Sequence, residues 1–92
     1  DDSLVLWQAS SGGHVGVVEK ILEVVGINVN VVHSDCTPLY QASASGHLAI
    51  VKVLIKAGGN VNQVDNIKYT ALGRSSQFGH LEVVRLLLQQ PN

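Results

Sequence analysis

The pair Gly-His occurs three times, as Gly13-His14, Gly46-His47 and Gly79-His80, and both intervals are 33 residues. A fixed period of this length constrains the fold more than any local pattern. Each period is one supersecondary unit that cannot bury its apolar face alone, so the units must stack. Other residues keep the register. Leu6-Trp7-Gln8-Ala9-Ser10 aligns with Leu39-Tyr40-Gln41-Ala42-Ser43, Thr37-Pro38-Leu39 with Thr70-Ala71-Leu72, and Val18 with Val51 and Val84. Ile27-Asn28-Val29-Asn30 matches Gly59-Asn60-Val61-Asn62 one residue short of the period. A residue has been added near Val24-Val25 and one lost in the next turn, as turns tolerate.

The middle unit can be read in full. Thr37 is a good N-cap and Pro38 suits the first helical position, which predicts a short helix from Leu39 to Ser45. Gly46 supplies the positive φ that ends it. A second helix runs from about His47 to Lys56, stopped by Ala57-Gly58-Gly59. The stretch Asn60 to Tyr69, with turn residues Asp65-Asn66, reads as a hairpin-like connector. In the second helix Leu48, Ile50, Val51, Val53, Leu54 and Ile55 leave only a narrow polar line at Lys52 and Lys56, beside small Ala49. Leu81, Val83, Val84, Leu86, Leu87 and Leu88 repeat this against Glu82, Arg85 and Gln89. An ordinary surface helix has an apolar stripe of roughly 100°. These helices are apolar around most of their circumference and are too short to persist alone, so they need cover on several sides.

At 92 residues, 46% hydrophobic, the chain accommodates one small unit. The net charge is −1 and the six basic residues are scattered, which argues against a nucleic-acid partner, since such affinity comes from phosphate neutralisation. No polybasic patch points to a membrane surface, no apolar run approaches the ~20 residues that span a bilayer, and the acidic N-terminus does not read as a signal peptide. Cys36 is the only cysteine and no Asn-x-Ser/Thr acceptor occurs. Both suit a reducing, intracellular setting, cytoplasmic or nuclear.

Thr37-Pro38-Leu39-Tyr40-Gln41-Ala42, Gly46-His47-Leu48, Val51-Lys52-Val53-Leu54-Ile55 and Gly58-Gly59-Asn60-Val61-Asn62 together resemble the ankyrin repeat. The resemblance covers essentially the whole chain in three copies, near residues 1–33, 34–66 and 67–92. It implies an all-α solenoid of stacked helix-turn-helix units, with hairpin-like connecting loops projecting as fingers and a concave binding surface. It also implies a non-catalytic module that binds a protein partner. The sequence departs from the family pattern in places. The signature His is replaced by Trp7, Tyr40 and Gly73, and the finger glycine by Asp2, Asp35 and Lys68. The family also implies that Asn30 and Asn62 tie adjacent turns together, a position hydroxylated in some members. Because the chain begins inside one repeat and stops before a third hairpin, a segment of a longer array is expected.

Candidate chemistry is weak beside this. His14, His47 and His80 occupy equivalent places, where turn and inter-repeat hydrogen bonds are expected. His33 and Cys36 form an isolated His-x-x-Cys that lacks the further ligands of a structural zinc site. Cys36 has no activating base or oxyanion site in view, and a half-exposed finger cysteine is expected. No phosphate-binding glycine motif occurs. Asp1-Asp2 reads as a solvated end. No catalytic residue, metal or cofactor is expected.

The core is expected to include Leu6, Ala9, Val18, Ile21, Leu22, Leu39, Ala42, Leu48, Val51, Leu54, Leu72, Leu81, Val84 and Leu87. Arrays of the family bind through finger tips and the exposed face of each first helix. By register these positions are His33, Ser34, Cys36, Ala44 and Ser45 in the second unit, and Asn66, Ile67, Tyr69, Gln77 and Phe78 in the third. Ile67, Tyr69 and Phe78 are sizeable apolar groups where the scaffold does not require them, which favours them as anchors. For Phe78 the alternative is that it folds back over its own helix pair to cover the gap left by Gly73. The ends invite weak end-to-end self-association, since Leu86, Leu87 and Leu88 lack a following repeat and Val15, Val17 and Ile21 a preceding one. A structural spacer or self-associating segment is therefore the second functional reading.

Overall fold

The computed structural model describes residues 2–91; Asp1, expected as part of a solvated end, lies outside them. Among the described residues there are six helices: α1 (Ser3–Gly12), α2 (Val15–Leu22), α3 (Pro38–Ser45), α4 (Leu48–Lys56), α5 (Ala71–Gln77) and α6 (Leu81–Leu88). They form three antiparallel pairs. The first helices α1, α3 and α5 stack closely in one layer, and α2, α4 and α6 form a looser second layer. The all-α stack of helix-turn-helix units is the architecture expected.

Local chemistry explains the helix boundaries. Thr37 caps α3 by accepting from the Tyr40 N–H at 3.2 Å, with Pro38 at the first turn, and Thr70 caps α5 by accepting from the Gly73 N–H at 3.1 Å. Gly13 and Gly46 end α1 and α3 in the left-handed conformation, φ 80° and 78°. The period slip falls in the turn after α2, where Val25 is 99% exposed and bears no packing load.

The core lies between the layers. Leu6, Val18, Leu39, Ala42, Val51 and Leu54 are fully or almost fully buried, as expected, and Leu87 and Ala9 are buried too. Small Ala9, Ser10, Ala42, Ser43 and Ser75 let the first helices approach. Ile21, Leu22, Leu48, Leu72 and Val84 are only half-buried. Leu81 departs from the expectation: it is 63% exposed. Its equivalents Val15 and Leu48 are half-covered, and Leu48 lies against α6, whereas among the described residues no helix packs on the far side of α6. The same reasoning separates half-buried Val84 from fully buried Val18 and Val51. Leu87 does not line the open end as expected, because it turns inward while Leu88 faces solvent. Ile50 and Val83, absent from the expected core, are buried at one register position.

Candidate functional site

The fingers are built from a few side chains. In the third, the Asp65 N–H bonds the Tyr69 carbonyl at 2.9 Å, and Asp65 Oδ1 accepts from the backbone N–H groups of Ile67 and Tyr69 at 2.9 and 3.0 Å. Lys68 holds φ 72° to close the turn. In the second finger His33 and Cys36 exchange backbone hydrogen bonds at 2.9 and 3.1 Å across Ser34 and Asp35, at φ 53° and 66°. Residues other than glycine therefore adopt the left-handed conformation at both fingers. Asp2, the first unit's equivalent, does not: its φ is −95°.

Each finger is anchored to the first helix of the unit before it. The Trp7 indole N–H donates to the Cys36 carbonyl at 3.2 Å and the ring meets His33 edge-on, with centroids 4.6 Å apart. Tyr40 occupies the same register position in the next unit. Its hydroxyl donates to Asp65 Oδ2 and accepts from Arg74 Nε at 2.9 Å. Arg74 continues to Asp65 Oδ2 at 3.2 Å and to the Gln77 amide oxygen at 2.8 Å, and its guanidinium lies 4.2 Å over the Tyr69 ring. Groups from α3, the finger and α5 thus meet at one carboxylate. The Tyr40 hydroxyl first, then backbone N–H groups of Tyr69 and Ile67 and the Arg74 side chain, pull the Asp65 pKa down to about 2. Burial raises the Tyr40 pKa, and its hydrogen bond to Asp65 adds to this.

The expected site residues fall into two groups. Asn66, Ile67 and Tyr69 share the third finger, and Arg74 ties that finger to Gln77 on α5. Ile67 and Tyr69 are 59% and 43% exposed. Phe78 lies at the other end of α5, 56% exposed beside His80, with ring centroids 6.4 Å apart. It leaves the space around Gly73 open: a Cβ there would have only the Thr70 hydroxyl within 4 Å. In the second unit His33, Ser34 and Ser45 are exposed and Ala44 is half-buried. Cys36 is a correction. It is 5% exposed, not half-exposed, because the finger folds it under Trp7 and beside Gln41. Burial removes it from an accessible binding surface and raises its thiol pKa.

The sequence reading missed Trp7, Tyr40, Asp65 and Arg74 as finger anchors. The signal was the shared register of Trp7 and Tyr40, both long and both carrying a donor. The histidines follow the expectation unevenly. His80 Nε2 makes an inter-repeat hydrogen bond to the Ala44 carbonyl at 3.0 Å, and His47 packs on Gly13. His14 instead lies over its own Gly12. Asn30 ties adjacent turns as expected, through the Gly58 carbonyl and the Asn60 N–H at 3.3 and 2.7 Å. Among the described residues no group of three or more His, Cys, Asp or Glu side chains could hold a metal, and no helix is long and apolar enough to cross a membrane.

A family model described as ankyrin repeats, in three copies, matches residues 6–92. No curated protein matches the chain.

Proposed function

Since the chain belongs to the ankyrin-repeat family, whose repeats are generally protein–protein interaction modules, we propose that it is a non-catalytic module that binds a protein partner across its fingers and first helices. The third unit is the centre of that surface. The supporting observation is the exposure of Ile67, Tyr69 and Phe78 on a finger and helix held in place by the Asp65–Tyr40–Arg74 network. Exposed apolar anchors on a rigid support lose little entropy on binding, and truncating such anchors costs roughly 2 kcal/mol or more each. His33, Ser34, Ala44 and Ser45 extend the surface as small, adaptable neighbours, with Asn66 and Gln77 at the rim. Cys36 supports the finger from beneath. The free, buried thiol suits an intracellular compartment.

Two measurements test this reading. A photo-crosslinking residue at position 67 or 78 should capture the partner, and one at position 52 on α4 should not. Phe78→Ala should weaken binding with little change in melting temperature. Equal capture from position 52, or a large loss of stability in the Phe78 variant, would sink the assignment.

A further inference from the structure

The charged side chains divide between the two layers of the stack. Of the six basic residues, Lys20, Lys52, Lys56 and Arg85 lie on the second helices, and only Lys68 and Arg74 belong to a finger and a first helix. Among the described residues the acids on the finger and first-helix side are Asp2, Asp35 and Asp65. Asp65 is engaged inside the third finger by Tyr40, Arg74 and two backbone N–H groups. Asp35 and Lys68 are not engaged in this way. They stand one period of 33 apart, both exposed and both in the left-handed conformation, φ 66° and 72°. Neither joins an ion pair among the described residues. Two adjacent finger tips therefore present opposite charges, negative in the second unit and positive in the third.

Arg74 adds to the positive side. A guanidinium carries five N–H donors. In Arg74, Nε donates to the Tyr40 hydroxyl, Nη1 to the Gln77 amide oxygen and Nη2 to Asp65 Oδ2. Each terminal nitrogen keeps one N–H without a partner among the described residues, and the side chain is 23% exposed. The three bonds and the Tyr69 ring fix the position of the guanidinium, so it can donate to a further carboxylate without first being ordered. Asp65 balances its charge but not its donors. The register residue is Gln8 in the first unit and Gln41 in the second, so this cation is particular to the third. Tyr40 on α3 and Arg74 on α5 place the arrangement inside the junction of the second and third units, both of which the chain contains.

We propose that the partner presents an extended segment whose acidic side chain, Asp or Glu, docks beside Lys68 and Arg74, with apolar side chains against Ile67 and Tyr69 and a basic residue toward Asp35. This rests on the reading of the third unit as the partner site and adds the chemistry of what binds there. Packed helices stand about 8–10 Å apart, and an extended chain rises about 3.3 Å per residue. The acidic and basic residues of the segment therefore lie about three residues apart. The two finger tips also fix its direction, because a reversed segment would set like charges together at both.

Random linear peptides displayed on phage and selected against the 92-residue chain supply the probe. Enriched peptides should carry Asp or Glu about three residues from Lys or Arg, beside apolar residues. A synthetic copy of the leading peptide should bind at least about tenfold more weakly to Lys68→Glu, and to Arg74→Gln, which installs the residue of the other two units. High salt should weaken it too. Lys52→Glu changes the net charge equally on α4 and should leave binding unaltered. Exchanging the peptide's acidic residue for Lys should recover binding to Lys68→Glu. Lys68 bonds only through its backbone among the described residues, so its variant decides the matter should Arg74→Gln lower the melting temperature. Ile67→Ala separates the two readings. Peptides that need Ile67 but carry no carboxylate, or that ignore Lys68→Glu, would overturn this proposal and leave the partner site standing. Peptides indifferent to Ile67→Ala would overturn both. A selection that enriches nothing would overturn the linear segment as occupant.

Discussion

Leu54 is the most instructive single site for stability. Its side chain has no exposed surface, in the middle unit between the layers. Leu54→Ala removes three carbons, about 2.4 kcal/mol of transfer free energy at ~0.8 kcal/mol per methylene. The cavity adds to this, because neighbours on both sides restrict collapse, which brings the expected loss to about 3–5 kcal/mol. A chain of 92 residues has a total stability of roughly 5–14 kcal/mol. The variant should therefore melt some 12–40 °C lower, at about 4–8 °C per kcal/mol for a domain of this size. Urea unfolding followed by far-ultraviolet circular dichroism measures the loss directly. Two controls belong with it. Leu87→Ala, at the end of the stack, should cost less, about 2–3 kcal/mol, because solvent reaches its neighbourhood. Leu88→Ala, 67% exposed, should stay within about 0.5 kcal/mol. An unchanged m-value would show that the three units still unfold together. A Leu54 loss below about 1 kcal/mol, or one no larger than that of Leu88, would refute the stacking argument.

Three further outcomes follow from the fingers. The folded pKa of Asp65, about 2, lies below the ordinary value near 3.9, so the unfolded chain binds more protons; the stabilisation is present above about pH 4 and is lost as pH falls toward 2. Asp65→Asn should flatten the acid limb of the stability profile over that window, and parallel curves for the two proteins would contradict this. Cys36, buried with a raised pKa, should react with iodoacetamide far more slowly in the native protein than in urea; equal rates would mean that the finger opens freely. Lys68→Gly should raise stability by about 0.5–1 kcal/mol, the relief of a left-handed non-glycine less the entropy of glycine in the unfolded chain. A loss on chemical denaturation would point instead to contacts made by the lysine.

The repeat period, the helix pairs and the capping residues were legible in the sequence because they depend on local chemistry. Thr37, Pro38, Thr70, Gly13 and Gly46 act on their own backbone or the next turn, and an apolar pattern around a short helix demands cover wherever it comes from. The fingers were legible only in outline. Asp65-Asn66 marked the turn, but its attachment through Tyr40 and Arg74 joins residues 34 apart in the chain, and no local pattern specifies that meeting. Burial itself was decided by position in the stack. Leu48 and Leu81 have the same register and the same side chain, and so have Val18, Val51 and Val84, yet their exposures differ. The sequence determined which residues are equivalent. The tertiary structure decided which of them are covered, because cover is supplied by a neighbouring unit and, among the described residues, the first and third units have one on a single side.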